Sequence, residues 1–184
     1  MAVTRDIPRA WLKPRQVVTE ILAGEPSDRV AFVYLAAASV LGFVAQLPRL
    51  VRESRQSDPD FDAQFVAEAQ EAGMDVSDIA GLKFEAFMSG ALMSWIFVLP
   101  PLMYLLAWII HGVAKLFGAR GTGLRVRVAF FFSFLAVTPI LLLLGLTSGF
   151  VGSGPAETLV SLILVSGFIW ISLNALYVAE TPNA

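Results

Sequence analysis

The sequence predicts an all-α protein, a polytopic transmembrane bundle of four spans entered through an N-terminal amphipathic interfacial helix. Two features of composition and one of pattern predict it. The 184 residues are 57% hydrophobic and 15% charged, where a soluble domain carries about 25% charged residues. The charges are also segregated. Arg29 to Arg49 encloses 19 uncharged positions, Glu85 to Lys115 and Arg127 to Glu157 enclose 29 each, and Glu157 to Glu180 encloses 22. Each gap holds a helix of roughly 20 residues, enough to cross about 30 Å of hydrocarbon. Helices are expected because each satisfies its backbone hydrogen bonds internally, as a lipid surround demands.

The leader, residues 1–29, contains "WLKPRQVVTEILAGEP". Pro14 suits the first position of a helix, Val17, Val18, Ile21 and Leu22 share one face, and Gly24 and Pro26 end it. Trp11, Lys13 and Arg15 suit a headgroup boundary, so the helix is expected on the membrane surface, with packing against the ends of the spans as the alternative. The apolar run that follows the leader has no small-residue cleavage site at its end, so a removed signal peptide is not expected.

Residues 30–178 form the membrane domain, with spans near 30–47, 87–110, 128–146 and 158–178 and a short tail at 179–184. Pro100 and Pro101 are expected to kink or break the second span and Pro139 the third, because each ring removes a backbone donor and crowds the preceding turn. Gly42, Gly90, Gly145 and Gly167 read as close-packing points between helices, and Ser39, Ser94, Ser133, Thr138, Ser161, Ser166 and Asn174 as mild interhelical hydrogen-bonding groups. The first connection, residues 48–85, is acidic, with nine carboxylates against four basic residues. Within it Asp60 reads as an N-cap, Phe61, Phe65 and Ala69 share a face and Gly73 is a stop, while "SDIAGLKFEAF" opens a helix that runs into the second span.

Four spans place both termini on one side. Nine basic residues lie on that side, in the leader and in the second connection, against four on the other, so the positive-inside rule puts both termini in the cytoplasm.

The composition narrows the chemistry. There is no cysteine, hence no disulfide, thiolate nucleophile or cysteine zinc site. The single histidine, His111, cannot make a metal cluster, and no cofactor, catalytic residue or nucleic-acid partner is expected. "DPDFD" has the alternating carboxylates of a calcium loop, but Ala63 and Ala69 stand where its turn glycine and bidentate glutamate belong. "GARGTG" follows no strand and lacks a terminal Gly-Lys-Ser/Thr, which argues against a phosphate cradle. No Asp, Glu, Lys or Arg falls inside a span, where ion and proton carriers usually hold one. The expected contact surface is basic and cytoplasmic. Arg15, Lys115, Arg120, Arg125 and Arg127 lie at the depth of anionic headgroups, each worth about 1 kcal/mol there, as lipid or protein contacts.

The run "HGVAKLFGARGTGLRVRVAFFFSFLAVTPILLLL" resembles the centre of the Yip domain family: a span ending in small and basic residues, a Leu-Phe-Gly step, a glycine-basic turn, and an apolar helix with a proline midway. The leader "LKPRQVVTEILAGEP" resembles the entry to bacterial members. The resemblance implies a polytopic helical protein of the bacterial inner membrane with a cytoplasmic N-terminus and no enzymatic activity. Eukaryotic relatives bind Ypt/Rab GTPases and other membrane proteins. Their Asp-Leu-Tyr-Gly-Pro type motif has no counterpart here, and the family is usually drawn with five spans where four are counted here. The expected function is a scaffold or accessory subunit that binds other integral membrane proteins. The alternative is a small transporter or lipid-handling protein using the second and third spans.

Overall fold

The computed structural model describes residues 3–181. The two ends of the leader and tail, residues 1–2 and 182–184, lie outside the described residues. Helix α1 covers Val3–Leu12, α2 Pro14–Ala23, α3 Asp28–Arg55, α4 Pro59–Glu71, α5 Ile79–Leu116, α6 Gly123–Val151 and α7 Pro155–Glu180. No strand occurs among the described residues. Helices α3, α5, α6 and α7 are each long and apolar enough to cross a membrane, and the chain is a multi-pass membrane protein. One end of the bundle, the termini face, gathers the ends of α2 and α7 with the α5–α6 bridge. The far face carries the α3–α5 connection and α4.

Helix α6 is the centre, touching α3 and α7 along its length and α5 through its first half. Its sequence is apolar on every side, as in a core helix or a membrane span, and 67% of its most apolar stretch is buried within the chain. The run Phe130-Phe131-Phe132 shows how. Successive residues point about 100° apart on a helix of 3.6 residues per turn, so three consecutive rings meet three different neighbours. Phe130 packs on Phe168 of α7 at 6.0 Å, Phe131 edge-on against Tyr104 of α5 at 4.9 Å, and Phe132 edge-on against Tyr34 of α3 at 5.6 Å. These are the tilted geometries that aromatic quadrupoles favour.

Three of the four glycines read as packing points do pack. A Cβ on Gly42 would overlap the Trp95 ring, one on Gly145 would overlap the Ala45 carbonyl, and one on Gly167 would overlap the Trp11 ring. Gly90 has open space instead, because it faces away from the bundle.

The prolines act differently in the two spans. In α6 the helix breaks at Val137, as Pro139 leads one to expect. In α5 the helix continues past Pro100 and Pro101. A π-turn, Met93–Val98, precedes them, with the Leu99 N–H donating five residues back to Ser94, and both prolines then sit in the first turn of the resumed α-helix. The wider turn absorbs the register change that the missing donors impose.

At the far face, α4 is capped by Asp58, whose side chain accepts from the Phe61 N–H at 3.3 Å. Asp60, the expected cap, instead lies inside the first turn, because Pro59 takes the N1 position and fixes the helix start one residue after Asp58. Phe61 stacks on Phe65 and reaches Phe87, and Gly73 closes the helix at φ +74°. Lys83, buried at the start of α5, clamps this helix down. Its Nζ donates to Asp62 and to the Gln56 carbonyl, both at 2.7 Å, and lies 5.5 Å over the Phe61 ring. The Lys83 hydrogen bond holds the Asp62 carboxyl below its ordinary range. A depressed carboxyl contributes stability above its unfolded value, near 3.9, and loses it as pH falls through the folded value. Proteolysis at the 72–78 linker is therefore expected to stay slow from pH 7 to about 4 and to accelerate below that. In Asp62→Asn the acid-dependent step should vanish, with cleavage faster already at pH 7.

Candidate functional site

The termini face is built where the basic bridge folds over the end of α7. Thr122 caps α6, accepting from the Arg125 N–H at 3.4 Å, and the preceding turn swings back so that the Arg120 and Gly121 N–H groups both donate to the Glu180 carbonyl at 3.1 Å. Gly121 is required there. A Cβ would come 2.7 Å from the Glu180 Cα and closer still to the Ala179 carbonyl. The last carbonyls of a helix have no internal donor, and Arg125 supplies one: its Nε donates to Ala179 at 3.3 Å and its Nη2 to Val178 at 3.4 Å. A cation at a helix C-terminus also opposes the negative end of the helix dipole.

The neighbouring groups are likewise engaged. Arg127 donates from Nε to Asp28 at 3.0 Å, tying α6 to the start of α3. Arg15 donates to Asn174 at 2.7 Å and stacks over Tyr177 at 4.7 Å, tying α2 to α7. Of the five basic residues singled out from the sequence, these three are held by internal partners. The side chains of Lys115 and Arg120 are exposed and make no ion pair among the described residues. The bridge is thus first a clasp for α3, α6 and α7, with Lys115 and Arg120 as its outward charges.

His111 and Glu180 form the one close carboxylate–imidazole pair at this face. His111 Nδ1 and Glu180 Oε1 share a hydrogen bond of 2.7 Å, and both side chains are largely covered. Glu180 Oε2 is buried with no hydrogen-bond partner. Sequence reasoning set His111 aside as a metal ligand and did not pair it with Glu180. The available signal was topological: with four spans the only histidine and the last carboxylate of the chain reach the same face. No hydroxyl is bonded to His111, and no three metal-binding side chains converge, among the described residues. Compared with protein-family models, curated proteins and solved structures, the chain finds no match.

The pair carries a stability prediction. His111→Ala leaves a buried carboxylate without its partner, a loss of about 1–3 kcal/mol, read as a lower Tm in detergent. Adding Glu180→Gln removes the charge as well and is expected to restore most of the loss, since deleting both members of a buried pair costs less than deleting one.

Of the two placements open to the leader, the structure shows packing against the spans. The apolar face of α2 is where it was expected, with Val17, Val18, Ile21 and Leu22 buried, and it is covered by α6 and α7. Helix α1 precedes it and folds back on it as a hairpin. At the tip Trp11 leaves the expected headgroup boundary and donates from Nε1 to the Ala136 carbonyl at 3.0 Å. Ala136 is on the order of 20 Å along α6 from Gly123, at a rise of about 1.5 Å per residue. Outside the hairpin, Arg9 and Glu20 pair at 2.9 Å, crosslinking its two arms.

Proposed function

We propose that this chain is a non-enzymatic membrane scaffold or accessory subunit that binds other integral membrane proteins, in a bacterial inner membrane with both termini cytoplasmic. The observation that supports it most is the uneven use of the spans. Only 11% of the most apolar stretch of α5 is buried within the chain, against 67% for α6. The large side chains of Phe97, Leu102, Leu105, Trp108 and Val113 are left exposed along α5. Helices associate in lipid by close packing and not by escape from water, so a span attached along one edge offers a face to a second helix. The resemblance of the bridge and leader to the Yip domain family favours the same reading. The break in α6 and the π-turn in α5 favour the second reading, a small transporter or lipid-handling protein.

The test is a photo-crosslinkable residue placed at Leu105 in native membranes, with the buried position Phe131 as control. A reproducible protein adduct from position 105, together with near-stoichiometric co-purification in mild detergent, is expected. Recovery of the chain alone, with adducts only to lipid, would overturn the scaffold reading.

A further inference from the structure

We infer that the far face carries a binding site for the phosphate group of an anionic glycerophospholipid, built on Arg52 and Arg55. A groove of about 630 Å³ lies there between the ends of α3 and α6, and Leu47, Pro48, Val51 and Phe150 form its apolar walls. Both arginines line the same groove. Leu47 and Pro48 end the uncharged run of α3, and Phe150 lies at the corresponding end of α6. The groove therefore straddles the boundary between hydrocarbon and headgroups, apolar on one side and cationic on the other. An acyl chain fits along Val51 and Phe150, the latter 79% exposed, with the phosphate at the guanidinium groups.

Nearby carboxylates leave both charges without an ion pair: Glu53 and Glu157 share a small cavity with Arg52, and Asp78 shares one with Arg55. Neither Arg52 nor Arg55 forms an ion pair among the described residues, while their neighbour Glu53 is taken by Arg49 at 2.7 Å. Glu157 lines a separate, smaller cavity beside Arg52 without reaching ion-pair distance. Arg52 packs against backbone. Its guanidinium lies against Gly152, where a Cβ would overlap it, and Gly152 sits at φ +90°, a conformation that side-chain-bearing residues rarely adopt. A planar guanidinium presents its donors as a fork, the geometry that matches phosphate oxygens. This site is on the opposite face from Lys115 and Arg120, and it stands independently of the scaffold proposal.

The experiment is native mass spectrometry of the delipidated full chain titrated with dioleoyl phosphatidylglycerol or dioleoyl phosphatidylcholine. The wild-type chain is expected to retain the anionic lipid at least about tenfold better, a difference of about 1.4 kcal/mol. Arg52→Gln/Arg55→Gln should abolish that preference, and Lys115→Gln/Arg120→Gln should leave it. Val51→Glu, at an exposed position, supplies a carboxylate beside the arginines and should lower retention equally, which keeps the test open if the double variant fails to fold. A preference that survives both far-face variants, or that disappears with the bridge variant, overturns the proposal. So does full competition by inorganic phosphate at constant ionic strength, which would mark a simple anion site with no use for the acyl chain.

Discussion

Gly145→Ala is expected to lower the Tm of the detergent-solubilised protein by several degrees, and Gly145→Leu to abolish the folded species. Gly145 is a point of close approach between α6 and α3. A Cβ built there stands 2.7 Å from the Ala45 carbonyl carbon and overlaps its oxygen. One turn on, a Cβ at Gly149 stands 2.7 Å from the Pro48 carbonyl carbon. The obstacle is backbone at Gly145 and the rigid Pro48 ring with its carbonyl at Gly149, so no rotamer change relieves it and the two spans must separate. Overpacking of this kind costs about 1–3 kcal/mol for a single methyl, and a chain of this length loses about 2–4 °C of Tm per kcal/mol. In lipid the loss is not offset by the hydrophobic effect, since the alternative to helix–helix contact is helix–lipid contact. Gly90→Ala is the internal control. With nothing within 4 Å of its Cβ, the substitution is expected to be neutral or to stabilise α5 by up to about 1 kcal/mol through helix propensity. Equal melting of the two alanine variants would sink the close-approach account of the α3–α6 contact.

The two glycines also show what was legible in the chain and what was not. Charge segregation located all four spans because an uncharged run of sufficient length has one favourable solution in a membrane. Which side of a span meets protein is a different matter, since lipid and a neighbouring helix are both apolar and leave the same pattern. Gly90 and Gly145 therefore look alike in sequence. The same degeneracy left two placements open to the leader: the periodicity of Val17, Val18, Ile21 and Leu22 establishes an apolar face without saying what covers it, and α6 and α7 do. At the bridge, the basic residues and glycines were visible, but the partners of Arg125 and Arg127 were not. Those partners are the carbonyls at the end of α7 and Asp28 at the start of α3, groups distant in sequence. A carbonyl freed at a helix end carries no residue-type signal at all.

Trp11→Ala is expected to release the leader hairpin from the bundle. Its indole answers a deficit created by Pro139. With no N–H on Pro139, the Leu135 carbonyl loses its usual donor, and Thr138 Oγ1 donates to it at 2.8 Å. The Ile140 N–H has turned to Val137 at 3.0 Å, which frees the Ala136 carbonyl, and Trp11 Nε1 donates to that one. The ring is admitted only because Gly167 of α7 has no side chain in its way. Trp11→Phe keeps most of the ring and deletes the donor, at about 1–3 kcal/mol for a buried carbonyl left unsatisfied; Trp11→Ala also opens a void, about 3–5 kcal/mol for such truncations. The absence of native cysteine makes the effect directly measurable. Val17→Cys places a thiol at a fully buried position of α2, and its maleimide labelling rate reports undocking of the hairpin. Labelling is expected to be slow in the otherwise wild-type chain, about tenfold faster with Trp11→Phe, at about 1.4 kcal/mol per factor of ten, and about a hundredfold or more faster with Trp11→Ala. Gly167→Val should reproduce the fast labelling with Trp11 intact, because it fills the slot from the other side. A hairpin that stays protected in both Trp11→Ala and Gly167→Val would mean that the α2 contacts with α7, including Arg15 to Asn174, hold it without the indole. The hydrogen bond at the α6 break would then be a consequence of docking and not its cause.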